Sequence, residues 1–168
     1  MYVPFDQLPD TARIWIYQAA RELTEAEAGL AEAHLREFCT RWVAHGHPLR
    51  VSFAVLERRF VVLTVDEAAG SPSGCSIDSS VQALRELGER LGVDFLDKSR
   101  IAFRQPDGTT GTVGRADLRG AVTDGVLQPH TPVYDTLAPS IGALRTAWVR
   151  PAAETWLARY FFLGNNAR

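Results

Sequence analysis

The chain has 168 residues, 46% of them hydrophobic and 23% charged, with a net charge of −2. That length is enough to bury a core and suits one domain, and so small a charge supplies no global field to recruit nucleic acid or an acidic membrane. No apolar run approaches the ~18 residues of a membrane span, and the start shows no signal-peptide pattern, so a reducing cytoplasmic setting is expected. The basic residues are 17 Arg and one Lys, Lys98. The arginines are scattered, which reads as composition bias, although guanidinium forks suit carboxylates and phosphates.

Residues 1–11, with Pro4 and Pro9, read as an arm. Arg13-Ile14-Trp15-Ile16-Tyr17 is β-rich and reads as a strand. Thr24 and Glu27 form a capping box, so a helix should follow and run to about Gly46. Its apolar stripe is Ala31, Leu35, Phe38 and Trp42, and Cys39 beside it reads as core. Val51–Leu56 and Phe60–Val65 read as an antiparallel hairpin, because Glu57-Arg58-Arg59 is too short for a crossover. A small-residue loop, 68–76, leads into a second helix from about Ile77 to Leu91, ended by Gly92. Arg100–Arg104 and Thr109–Val113 read as two more strands around the Pro106-Asp107-Gly108 turn. A short helix near 116–123 and an extended piece near 131–136 follow. Trp148, Trp156, Tyr160, Phe161 and Phe162 give the C-terminus too much apolar surface for a disordered tail.

The order β-α-β-β-α-β predicts an α+β domain with a ferredoxin-like core. In it, two helices cover one face of an antiparallel sheet. The whole chain, 1–168, is expected to form one domain, with its core at about 11–105 and a C-terminal extension at about 106–168. Strands one and three are expected to lie side by side and run parallel, each feeding a helix at the same end. Arg21, Asp66, Glu67, Gly74, Cys75, Ser76, Asp78 and Ser79 would then gather at that end. The start of a helix offers unpaired N–H groups and a positive dipole end, which favour an anion or a thiolate. Cys75 is the candidate nucleophile. Arg21, the two carboxylates and the residues around Cys75 are the candidate ligand-binding set. Plainer roles are open too: Ser76, Asp78 and Ser79 as helix-start residues, Asp66 and Glu67 as a strand end in solvent, Arg21 as a structural partner of Asp66, and Cys75 as a small loop residue with an ordinary thiol.

A Cys–His pair is disfavoured by the expected layout. His45 and His47 would follow a helix of about 20 residues, roughly 30 Å long, and so lie at the other end of the sheet from Cys75. His130 could approach from the C-terminal region. The histidine spacing forms no recognised metal-ligand pair, so no metal or other cofactor is expected. The chain has no phosphate-cradling G-x-x-x-x-G-K-[ST] loop, no dinucleotide fingerprint, no G-x-S-x-G elbow and no C-x-x-C. Trp15 and Tyr17 lack the basic strand that an RNA-recognition sheet needs, so no nucleic-acid partner is expected.

Trp15-Ile16-Tyr17, Ala44-His45-Gly46, Val65-Asp66-Glu67 and Ser73-Gly74-Cys75-Ser76-Ile77-Asp78-Ser79-Ser80-Val81 together resemble an uncharacterised bacterial family. Its members are often labelled ABC transporter ATPase. The resemblance covers about residues 5–160 and implies no established activity. The leading expectation is a small anionic ligand, or thiol chemistry, at the Cys75 helix start. The competing one is a non-enzymatic protein-interaction or dimerisation module, with a homodimer as its expected form.

Overall fold

The computed structural model describes residues 1–162. It is mixed α/β with antiparallel sheets, and it divides into two compact units. The first unit is Met1–Asp97 with Thr136–Thr146, and the second is Lys98–Asp135 with Ala147–Arg168.

The first unit opens with β1 (Arg13–Gln18), α1 (Glu25–Arg41), the short strands β2 (Val43–Ala44) and β3 (His47–Pro48), then β4 (Val51–Leu56), β5 (Phe60–Val65) and α2 (Gly74–Leu91). The chain enters the second unit with β6 (Arg100–Arg104), β7 (Thr110–Gly114), α3 (Leu118–Thr123) and β8 (Pro132–Tyr134). Helix α4 (Ile141–Ala147) starts in the segment that returns to the first unit. Strand β9 (Val149–Pro151) and α5 (Ala158–Phe162) complete the second.

The larger sheet has the order β1-β5-β4 and is antiparallel throughout. Arg13 pairs with Val65 and Gln18 with Phe60, so β1 and β5 run in opposite directions, not parallel as expected. The reason is mechanical. Helix α1 carries the chain back to the end where β1 began, β4 then runs the way β1 does, and the tight 57–59 turn reverses β5. The expected fourth strand, Arg100–Arg104, lies in a different sheet, of order β7-β6-β8-β9.

One face of the β1-β5-β4 sheet carries Tyr17, Phe53, Val61, Leu63 and Val65. These share a core with Ala31, Leu35 and Cys39 of α1 and Leu84 and Leu87 of α2. Burial of the Cys39 thiol pushes its pKa up to about 12, so it stays protonated. The other face is also closed, since every residue of β5 is buried. Thr64 and its cross-strand neighbour Ser52 sit there fully buried, and neither hydroxyl has a hydrogen-bond partner among the described residues. Each outer strand carries one isolated bridge at its first residue. Tyr2 bridges to Val51 outside β4, and Ser140 bridges to Arg13 outside β1.

Helix α1 stops at Arg41, five residues before the expected Gly46. Residues 43–48 form a hairpin instead. Its two-residue tip, His45 and Gly46, has φ of 51° and 79°. That is the left-handed pair a tight hairpin needs, so Gly46 serves a turn and not a helix end. At the close of α2, Gly92 takes the left-handed conformation expected of it (φ 61°).

The second unit packs Phe103, Leu118, Ala121, Leu127, Val133, Ala152 and Leu157 into its own core, with Trp156, Tyr160 and Phe161 laid against it. The aromatic C-terminal residues are therefore largely spent on this packing, although Phe162 remains exposed.

Candidate functional site

Ser73 caps α2. Its Oγ accepts from the Ser76 N–H at 3.2 Å, and Ser76 Oγ accepts from the Ser73 N–H at 2.7 Å. A serine thus takes the role more often filled by Glu or Gln in a capping box, and the helix starts three residues earlier than expected. Ser76 is buried, and its hydroxyl also donates to Ser73 O at 2.8 Å. Ser79 Oγ donates to Ser76 O at 2.7 Å. Both hydroxyls are used by the helix itself.

Gly74, Cys75 and Asp78 remain exposed on the first turns. The Gly74 and Cys75 N–H groups have no acceptor among the described residues. They are the two first-turn donors that the capping box leaves over.

Asp66 and Glu67 leave β5 at the same end of the unit. Asp66 is nearly buried. Its Oδ2 lies 2.7 Å from Arg50 Nη1, and its Oδ1 accepts from the Ala68 N–H at 3.2 Å. Glu67 pairs with Arg13 at 3.3 Å, in the open. Both carboxylates are thus neutralised by arginines that the sequence reading did not single out. The signal for Arg50 was its place directly before β4, across the sheet from the end of β5.

Arg21 lies at the opposite end. It follows β1, whose last residue pairs with the first of β5. There it grips Glu27 through two hydrogen bonds of 2.8 Å and donates to Leu91 O at the end of α2. The Arg21 fork, and next the Thr24 backbone N–H, hold the Glu27 carboxyl down at about 2. The structure does not bring Arg21 to Asp66, Glu67 or Cys75.

The histidine hairpin is placed contrary to expectation. Because α1 ends at the same end of the sheet at which α2 begins, the β2–β3 hairpin packs beside α2. Trp42, directly before β2, donates from Nε1 to Ser76 O at 2.8 Å. Leu49, directly after β3, lies 3.8 Å from where a Cβ on Gly70 would stand in the loop before α2. Residues 44–46, 65–67 and 73–81 therefore share one end of the first unit. His130 belongs to the second unit, where it lines a cleft of about 360 Å3 with Arg104, Gln105 and Val126. A second cleft, about 500 Å3, lies at the far end of the first unit, formed by Gly88, Gly92 and Phe95 among others.

Among the described residues, no group of three or more His, Cys, Asp or Glu side chains is placed to hold a metal ion, and no helix is long and apolar enough to cross a membrane. No family model, no curated protein and no solved structure matches the chain.

Proposed function

We propose that the first unit binds a small anionic ligand at the start of α2, beside the Cys75 thiol, in a protein whose thiols are kept reduced in the cytoplasm. The observation that carries this is the pair of N–H donors at the exposed Gly74 and Cys75, left without acceptors among the described residues by a helix end whose other donors are capped. Such donors, with the helix dipole behind them, take an anion without rearrangement. The imidazoles of His45 and His47 come to the same end and offer further donors. Arg21 has no part in this reading. Asp66 and Glu67 act through Arg50 and Arg13, which cancel negative charge that would repel the ligand.

The reading keeps a ferredoxin-like layer in view. Three strands in the spatial order one-three-two carry both long helices on one face, with strand three reversed relative to the ferredoxin-like pattern and Ser140 bridging to Arg13 outside β1.

The test is protection of Cys75. Iodoacetamide alkylation is followed in Cys39→Ala protein while sulfate replaces chloride at constant ionic strength. A saturable slowing supports an anion seated at Gly74 and Cys75. A rate indifferent to sulfate overturns the proposal.

A further inference from the structure

The two units differ in charge. Among the described residues, the first carries ten arginines against fifteen Asp and Glu, a net −5, and the second seven Arg and Lys against five acids, a net +2. Within the second unit, two arginines converge on one indole. Arg115, just after β7, places its guanidinium carbon 5.0 Å from the centre of the Trp156 ring. Arg159, from α5, places its own at 5.1 Å, and lies 5.3 Å from the Tyr160 ring as well. Tyr160 meets Trp156 edge-on at 6.1 Å. The backbone holds Arg115 in place through its N–H, which donates to Ser99 O at 2.8 Å.

Among the described residues, neither guanidinium has a carboxylate partner or a hydrogen-bond acceptor. This sets them apart from Arg13, Arg21, Arg50, Arg58 and Arg145 of the first unit, all of which are ion-paired. Stacking on a ring uses the face of a guanidinium and leaves its in-plane N–H donors available. Sharing one ring, the two charges stand at most about 10 Å apart, which is about a Debye length at 0.1 M salt, so each raises the potential at the other. An anion between or across them relieves that repulsion and takes up the idle donors. A carboxylate is saturated by a single fork, whereas a phosphoryl group has oxygens for two.

We propose that Arg115 and Arg159, held by Trp156, form a phosphate-binding site in the second unit, independent of the Cys75 end. The ligand class is a phosphate group, free or as a phosphomonoester.

The experiment titrates the intact protein with inorganic phosphate at constant ionic strength, read by tryptophan fluorescence and by calorimetry. The expected result is a saturable response with Kd at or below about 1 mM, weakened at least tenfold in Arg115→Gln and in Arg159→Gln. Arg115→Lys and Arg159→Lys keep charge and stem but lose the fork, and serve if the glutamine variants do not fold; weakening is expected in them too. A phosphomonoester that binds more tightly than phosphate identifies the esterified source, and equal binding identifies the free anion. Absence of a saturable response in the unaltered protein overturns the proposal. So does a response that survives in folded variants. Neither result bears on sulfate protection of Cys75, which is read at another residue in the other unit.

Discussion

Gly88 sets two physical effects against each other. It lies inside α2, where replacing Gly by Ala gains about 1 kcal/mol of helix propensity. But a Cβ on Gly88 would stand 2.5 Å from the carbonyl oxygen of Val93 and 3.7 Å from the Phe95 ring. The carbonyl is backbone, and Val93 N–H donates back to Gly88 O at 3.0 Å, so the two segments are tied where they would have to part. Overpacking a well-filled site costs about 1–3 kcal/mol and more when backbone must shift. The cost exceeds the gain, and Gly88→Ala is expected to lose about 1–3 kcal/mol, which at roughly 2–4 °C per kcal/mol is a fall of several degrees in Tm. Gly29→Ala is the control. Gly29 sits on the exposed side of α1 with nothing within 4 Å of its would-be Cβ, so it is expected to gain about 0.5–1 kcal/mol. Urea and thermal unfolding of both variants, followed by circular dichroism, decide the matter. A Gly88→Ala protein as stable as the parent refutes the close approach of Val93 to α2.

Three further outcomes follow from particular contacts. The Glu27 carboxyl sits at about 2 when folded, against 4.5 unperturbed. A depressed carboxyl contributes fully above its unfolded value and loses that contribution as pH falls toward the folded one. Glu27→Gln should therefore be less stable than the parent above pH 4.5, with the gap closing as pH approaches 2 in acid titrations of unfolding. Thr64→Val should stabilise the protein by about 1 kcal/mol, because it removes a buried hydroxyl with no partner among the described residues; a loss of stability in urea melts would show that the hydroxyl has a partner. Trp42→Phe removes the indole N–H that binds Ser76 O, at a cost of about 1–2 kcal/mol, and should raise the alkylation rate of Cys75 by loosening the hairpin from α2. An unchanged rate would mean that the hairpin does not steady the helix start.

Much of the first unit was legible in the sequence because its signals are local. The Thr24–Glu27 box, the 51–65 hairpin and the Gly92 helix end are each set by residues adjacent in the chain. The direction of β1 against β5 was not legible in that way, because it depends on where α1 returns the chain. That one reversal relocates the rest: it sends Arg21 to the far end and brings the histidine hairpin to Cys75's end. Gly46 was the trap. After a helical stripe, a glycine reads equally well as a helix end or as a hairpin tip, and His45 at positive φ, which decides between them, leaves no mark in the sequence. Ser73–Ser76 escaped notice because a serine at the third position is the less usual half of a capping box. The Arg115–Trp156–Arg159 cluster joins residues more than forty positions apart, and periodicity carries no signal of it.

The central claim rests on one donor more than on any other, the Gly74 N–H. Proline at that position removes the donor while suiting the first residue of a helix. Ser73 is already extended (φ −93°, ψ 167°), as a residue before proline prefers, and nothing lies within 4 Å of a Cβ on Gly74. The decisive measurement is sulfate protection of Cys75 from iodoacetamide, compared between Cys39→Ala and Cys39→Ala/Gly74→Pro. The account predicts protection in the first and its loss in the second, with the fold intact by circular dichroism. Equal protection in both would contradict it.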